Sequence, residues 1–448
     1  MSREHALLCN EIENLIARFP YSPGRNLRRE LSRLLFEVSL KENITPRYLC
    51  DPAAVCAKKD AIRLRRELLL RRFPGSDISH LESNAYLPPL SYRETAVLKP
   101  GDCRQEAREI YYENGLAESA LLGRLRRRFP QGTFRQISSF KEYCLRERRP
   151  MTPEEYNRRR RTIFLLKERF DFFKKCPCTS GVVSCGYYIF NLGFGCPFEC
   201  SYCYLQHYQD HPGIVLCDNV TEYLSRFDDF LAQTGRTSIR IGTGEFTDSL
   251  ALDDITAHSR ELVAFFSRRR VRFELKTKSA AIDNLLDVPA SPLVTVSWSL
   301  NPQPLIETDE PLTASLDERL DAARRCAGHG YSLGFHFDPL IACEDWEREY
   351  KELVDRLFET VGGYPISWIS LGTLRFNKDL KTIAEQRFPQ SRIFLGELLP
   401  GMDGKMRYPR ALRRTMYRKL IDWIRHYNRE TWIYLCMEDK EMWREVRK

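Results

Sequence analysis

The sequence predicts an α/β fold, a partial (β/α)6 barrel of the TIM type behind a mainly helical, basic N-terminal region. Two observations carry this expectation. From about residue 186, short β-rich runs alternate with longer amphipathic runs six times, and chemically distinctive residues fall just after the strand candidates. The candidates are YYIFNL (187–192), SIRIGT (238–243), VRFELKT (271–277), LVTVSWSL (293–300), YSLGFHF (331–337) and ISWISLG (366–372). Between them lie helical stretches such as LDERLDAARRCAGHG and EDWEREYKELVDRLFETVGG. Such alternation implies parallel strands joined by right-handed crossovers. Six units make an open barrel rather than a closed eightfold one. In barrels of this kind the chemistry sits at the C-terminal strand ends, where Cys196, Glu245, Lys278 and His336 are expected.

The region before residue 186 has a different texture. Residues 1–175 carry 36 Lys and Arg against 23 Asp and Glu, and the remainder holds 34 against 38. A basic third beside a slightly acidic barrel fits a polyanion partner, and it equally fits a set of solvated Arg-rich helices. Arg18-Phe19-Pro20, Arg72-Phe73-Pro74 and Arg128-Phe129-Pro130 each close an amphipathic stretch, since proline ends a helix. Their near-equal spacing predicts a degenerate helical repeat, with chance as the alternative. LSYRETAVLKPGD (90–102) reads as loop. The final run WIYLCMED reads as a last strand, with Cys436 in it.

Composition excludes several classes. The chain has 448 residues, 43% hydrophobic and 29% charged, ordinary for a globular protein of two to three domains. No apolar stretch approaches the ~18 residues of a membrane span. MSREHALLCNEIENL lacks a signal-peptide pattern. The expectation is a cytoplasmic protein whose fifteen cysteines stay mostly reduced, so that some serve metals rather than disulfides.

GCPFECSYCYLQ supplies Cys196, Cys200 and Cys203 with C-x3-C-x2-C spacing. Thiolates are the ligands of iron–sulfur clusters, and a [4Fe–4S] cube normally takes four. Three on one loop leave an iron with an open position, which a metal needs to bind a substrate or cofactor. A structural zinc site with His207 as fourth ligand is the other reading of these residues. The pattern, with Tyr202 as the aromatic before the last cysteine, resembles the loop of radical S-adenosylmethionine (SAM) enzymes, where the open iron chelates SAM. Gly242-Thr243-Gly244-Glu245 follows the second strand; alone it is a tight turn, but its place resembles the glycine–glutamate motif that holds the SAM amino group in those enzymes.

CSYCYLQ (200–206) in turn resembles the cluster loop of the spore photoproduct lyase family. The resemblance continues through Lys278, Ser299 in SWSLNP, GYSLGF (330–335), WEREY (346–350), Arg375-Phe376 and EQRFPQSR (385–392). It ends at Lys405-Met406-Arg407-Tyr408, where the lyases have a β-hairpin that enters lesion-containing DNA. It covers roughly residues 120–448. The boundaries it implies are 1–115 for a basic helical extension and 116–185 for a lyase-like N-terminal region and linker. The (β/α)6 core then takes 186–400, and the hairpin, a helix and the final strand take 401–448.

The resemblance implies a radical SAM enzyme with a [4Fe–4S] cluster and SAM as cofactors, one-electron donation by a flavodoxin or ferredoxin, and nucleic acid, DNA above all, as substrate. It implies SAM contacts from Tyr202, Gly244, Glu245, Lys278 and Ser299, a redox role for Tyr204, and nucleic-acid contacts from Arg407 and Tyr408. Radical modification of a protein, modified base or metabolite is the alternative, as is a zinc-stabilised nucleic-acid-binding protein. Two departures bear on function. Glu245 stands where the lyases carry a cysteine that returns a hydrogen atom to the product, and a carboxylate is a poor donor. Asp338 stands where they carry a small residue near the lesion. The expectation is little repair per SAM consumed, unless Cys436 or Tyr204 takes over the donation. Cys176, Cys178 and Cys185 could hold a second metal.

Overall fold

A computed structural model describes residues 3–90, 109–146, 157–209, 211–235 and 239–447. The chain falls into two compact units: Met1–Leu98 with Ile341–Glu344 and Thr373–Arg413, and Lys99–Leu340 with Asp345–Gly372 and Arg414–Lys448.

All six expected strands form, in the second unit. Its main sheet has eight: β1 (Phe173–Lys175), β2 (Tyr187–Phe190), β3 (Arg240–Thr243), β4 (Arg272–Thr277), β5 (Val294–Ser299), β6 (Ser332–Leu340), β7 (Ile366–Thr373) and β8 (Ile433–Leu435). Across the sheet they lie in chain order. β2 to β6 run parallel to one another, as β7 does to β8, while β1 is antiparallel to β2. The sheet is a curled half-barrel. The two quoted helical stretches form as Leu316–His329 and Trp346–Val361. Ser315 and Glu318 close a capping box at the start of the first, and Gly330 ends it in the left-handed region.

The barrel interior is polar at its centre. Glu274 of β4 accepts hydrogen bonds from Arg240 at 3.0 Å, Ser297 at 2.7 Å and the Trp368 indole at 3.1 Å. His336 lies within β6, 2.7 Å from Glu274 and 2.6 Å from Ser370. The expectation that His336 follows its strand is thereby corrected: it belongs to this interior network. Burial lowers its pKa despite Glu274, so it is neutral near pH 7.

The β1–β2 loop crosses to the opposite end of the sheet. Cys176 N–H donates to Tyr187 O at 2.9 Å, Val183 N–H donates to Glu438 O at 2.9 Å, and Val182 pairs with Asp439 beyond β8.

The region read as mainly helical before residue 186 also contributes three strands to a second sheet. Glu109–Glu113, Thr133–Ile137, Thr162–Leu166 and Ile214–Cys217 pair in parallel, with Gly193–Phe194 antiparallel at one edge. Ile110, Leu122, Leu125, Ile163, Leu165 and Ile214 form its core.

The first unit begins with helices α1 (Arg3–Ala17), α2 (Arg25–Glu42), α3 (Lys58–Arg72) and α4 (Ile78–Asn84). It also holds a small antiparallel sheet of Arg375–Phe376, Leu399–Pro400 and Met406–Arg407. Buried Glu37 of α2 joins the two parts. It accepts from Arg33 and Arg72 at 2.5 Å and from Lys381 at 2.6 Å. Arg72 also donates to Phe394 O and Gly396 O at 3.1 Å.

The Arg-Phe-Pro triplets end helices but make no repeat. Arg72, Arg128 and also Arg387 are the last residues of their helices. The phenylalanine caps share one conformation, φ near −130° and ψ near 66° (Phe73 −130°, 68°; Phe129 −127°, 67°; Phe388 −128°, 65°). The following proline bars the α region, and each guanidinium lies 4.5–5.3 Å over the buried ring. The triplet is a local stop signal, used in both units. Residues 91–102 of the expected loop lie outside the described residues.

Candidate functional site

The cysteine loop follows the edge strand Gly193–Phe194. Gly195 turns it at φ +91° and donates its N–H to Phe246 O at 2.9 Å. The loop's polar residues are tied down. Glu199 receives Arg159 at 2.7 and 3.2 Å, and Ser201 donates to Asp309 at 2.5 Å. Cys200 is buried, and Cys196 and Cys203 are half-buried. The three thiols are mutual electrostatic neighbours, and burial raises the pKa of each. Metal binding to such thiols releases their protons. The donor set, three thiols on one braced loop, fits a cluster of the iron–sulfur class. Among the described residues no group of three or more His, Cys, Asp or Glu side chains is arranged to hold a single metal ion.

Beside this loop lies the Gly242–Glu245 turn. Gly242 and Gly244 let β3 press against β4: a Cβ would meet Glu274 O at 2.4 Å on the first and Lys276 O at 2.6 Å on the second. Gly244 also has φ +94°, a conformation that favours glycine. The Glu245 carboxylate pairs with Lys276 Nζ. Burial works against the charge on Lys276, but Glu245 and Glu274 outweigh it and hold its pKa above the usual lysine value. Tyr204 donates its hydroxyl to Glu245 O, so the cysteine loop and the glycine turn are joined at two points.

Lys278 directly follows β4. Its Nζ lies 3.0 Å from the Tyr202 hydroxyl and 3.4 Å from Glu310. Tyr202 is buried and donates to Glu310, with Asn301 Nδ2 3.2 Å from the same hydroxyl. Glu310 also accepts from Asn301 at 2.7 Å and from Arg319 at 2.6 Å. Its burial opposes ionisation, but Lys278 and Arg319 prevail and bring its pKa to about 2. Ser299 ends β5, and its carbonyl accepts from Arg319 at 2.8 Å.

The structure thus brings Tyr202, Tyr204, Gly244, Glu245, Lys278 and Ser299 around the cysteine loop, within one unit. Arg407 and Tyr408 belong to the other unit. Arg407 is ion-paired to Asp403 at 2.5 Å. Tyr408 corrects the expectation of a nucleic-acid contact: it is 2% exposed, and its hydroxyl accepts from the Ala342 amide at 3.1 Å.

Sequence reasoning missed Glu310, Asn301, Arg319 and Asp248. Asp248 fastens the glycine turn to β4. It accepts from the Leu250 and Ala251 amides at 3.0 and 2.9 Å, from Thr277 at 2.6 Å and from the Lys278 amide at 2.7 Å. Its place four residues after Gly244 was the available signal. Asn301 could have been found in the SWSLNP turn. Glu310 and Arg319 carry no local pattern.

Comparison with known proteins adds to this geometry. The family model described as spore photoproduct lyase matches residues 167–418. The spore photoproduct lyase of Geobacillus sp. is 31% identical over 216 residues, covering 47% of this chain and 63% of the relative. That of Bacillus subtilis is 28% identical over 214 residues, with the same coverage of 47% and 63%. The chain therefore spans somewhat under two thirds of the length of these relatives. A solved structure of spore photoproduct lyase complexed with dinucleoside spore photoproduct aligns with TM-score 0.64 and 25% identity, over 74% of this chain and 99% of that one. A doubly substituted lyase with bound AdoMet and dinucleoside spore photoproduct aligns with TM-score 0.63 and 25% identity, over 74% of this chain and 100% of that one.

Proposed function

The chain belongs to the spore photoproduct lyase family, and from that premise we propose that it is a radical SAM enzyme acting on a photoproduct in DNA. One observation carries the reading: the cysteine loop and the glycine turn are bound to each other, through Gly195 N–H to Phe246 O at 2.9 Å and Tyr204 to Glu245 O. Cys196, Cys200 and Cys203 would hold a [4Fe–4S] cluster, and Gly244, Glu245, Lys278 and Ser299 would hold SAM. Together these groups supply one-electron reductive cleavage of SAM and hydrogen abstraction from carbon. A flavodoxin or ferredoxin is the proposed electron donor.

The protein's own part is positioning and charge. Gly244 lets the end of β3 close against Lys276 of β4. Lys278, steadied by Tyr202 and Glu310, offers an ammonium to a carboxylate. Glu245 offers a carboxylate to an amine while Lys276 balances it. Asp248 keeps the two strand ends in register. Arg407, through phosphate, is the proposed DNA contact of the other unit.

Anaerobically reconstituted protein should contain about four irons per cluster site and release 5′-deoxyadenosine with dithionite. Cys200→Ala should lose the iron, the absorbance near 400 nm and the cleavage together. Full cleavage by Cys200→Ala would overturn the assignment.

A second reading, radical modification of another base, a protein or a metabolite, is favoured by the Lys276–Glu245 ion pair. It sets a charged wall where the lyases carry a thiol. Robust SAM cleavage without thymine from dinucleoside spore photoproduct would select it.

A further inference from the structure

We propose that the turn formed by residues 167–171 is a DNA contact of the barrel unit, with Phe170 stacked on a base flanking the lesion and Lys167 and Arg169 on nearby phosphates. The inference rests on the function proposed above. It supplies the aromatic contact that buried Tyr408 cannot make.

The turn lies at the reacting end of the sheet. β1 runs antiparallel to β2, with Phe173 opposite Phe190, and the Asn191 amide donates to Phe172 O at 3.0 Å. Residues 167–171 therefore enter the sheet where β2 ends, the same end at which the Gly242–Glu245 turn follows β3. Lys174 of β1 carries the link across. Its Nζ lies 2.6 Å from the Asp171 carboxylate and 4.7 Å from the centre of the Phe246 ring. Phe246 follows Glu245 and stacks on Phe194, two residues before Cys196, at 5.4 Å and 17°.

The backbone of the turn is braced while its ring is left in water. One Glu168 carboxylate oxygen accepts from the Arg169 and Phe170 amides at 2.8 Å and from the Asp171 amide at 3.1 Å. Asn219 holds Glu168 from both sides, accepting from its amide at 3.0 Å and donating to its carbonyl at 2.8 Å. Phe172 is buried edge-on against Tyr223, with ring centres 4.7 Å apart. Phe170 by contrast is 92% exposed, the most exposed aromatic ring among the described residues. A ring already held in place gives up little conformational freedom when a partner covers it.

Charge selects the partner. Glu168 is engaged by amides, and Asp171 accepts from Lys174 and, at 3.3 Å, from Asn191. Lys167, Arg169 and Lys175 are exposed. The surface around the ring is therefore basic. An aromatic face for a base, with cations beside it for phosphates, is the combination that holds nucleic-acid strands.

The test measures binding of a labelled duplex oligonucleotide carrying spore photoproduct to full-length, anaerobically reconstituted protein, by fluorescence anisotropy. Phe170→Ala should weaken binding about tenfold. Phe170→Trp should retain it, and Phe170→Leu should not. Lys167→Ala combined with Arg169→Ala should lower the slope of log Kd against log salt by about 2. SAM cleavage with dithionite and dinucleoside spore photoproduct, which has no flanking bases, should be unchanged in every variant. Native affinity in Phe170→Ala with an unchanged slope in the double variant would overturn the inference and leave the DNA reading intact. Native affinity in Phe170→Leu would overturn the stacking role of the ring. Loss of SAM cleavage with the dinucleoside in Phe170→Ala would overturn its placement on flanking DNA. Failure of the native protein to bind the duplex would remove the inference and the DNA reading together.

Discussion

Two buried carboxylates in this protein are built alike and sit in very different company. Glu37 in the first unit is ringed by Arg33, Arg72 and Lys381, each itself buried. Glu310 in the second is ringed by Lys278, Arg319, Asn301 and Tyr202. Around Glu37 every cation ends on protein, and the cluster fastens helices to the segment after β7. Around Glu310 one cation, Lys278, stands beside a loop of thiols and a glycine turn. A buried ionic cluster is therefore no sign of function by itself. The neighbouring open backbone and unabsorbed chemistry make the difference.

Neutralising each carboxylate breaks the comparison most sharply. Removing one partner of a buried ion pair leaves uncompensated charge and costs about 3–5 kcal/mol. Glu37→Gln should lose about that much in denaturant unfolding, with SAM cleavage per folded molecule unchanged. Glu310→Gln should lose stability and SAM cleavage together. If Glu37→Gln abolished cleavage in folded protein, the contrast would fail.

Gly244→Ala tests the site without touching a charge. Its Cβ would sit 2.6 Å from Lys276 O at φ +94°, a strain of about 1–3 kcal/mol. The affinity for SAM should fall about tenfold, as read by equilibrium dialysis, since tenfold corresponds to about 1.4 kcal/mol.

A pH titration separates the clusters further. Burial, with Arg33 and Arg72 adding to it and Glu37 opposing, depresses Lys381 from 10.5 to about 8. A lysine depressed in the folded state binds fewer protons there than when unfolded. Its cost is full below pH 8 and is relieved as pH rises toward 10.5, by on the order of 3 kcal/mol. Unfolding free energy should show this upward component between pH 8 and 10, and Lys381→Met should flatten it. Glu310 has the opposite sense: its contribution is complete above pH 4.5 and is lost toward pH 2. The smallest effect belongs to the exposed pair Arg28–Glu13, 41% and 34% exposed. Arg28→Ala should change stability by only about 0–1 kcal/mol.

These contrasts also show what the sequence could and could not reveal. The barrel strands were legible because each is a buried run such as YYIF bounded by amphipathic helices. The second sheet was not, because one of its strands, TFRQI, is mostly exposed and another, Gly193–Phe194, has only two residues. RRRRTIFLL hides another behind arginines that suggest a helix. In the site, cysteine spacing is a local signal and survived intact. Glu310 meets Lys278 only through the fold, 32 positions away in the chain, and no spacing rule announces that. Arg407 and Tyr408 were read as a pair, yet Tyr408 lies just past the two-residue strand Met406–Arg407 and is buried. Much of the basic charge is likewise spent internally, in pairs such as Arg65–Glu30 and Arg71–Glu42.

The separation between Glu37 and Lys381 has a consequence for how the chain is made. The two residues are 344 positions apart, and ribosomes add about 5–20 residues per second. The N-terminal helices therefore wait on the order of 20–70 s for the partner of their buried carboxylate. The half-barrel has no such delay, since each new strand pairs with the one just synthesised. Synthesis from the N-terminus thus delivers β2 to β7 before Lys381, with β8 of the same sheet following at Ile433–Leu435. The early helices, carrying Leu31, Leu34, Leu35 and Leu69 of an unfinished core, are the segment that a nascent-chain chaperone would meet.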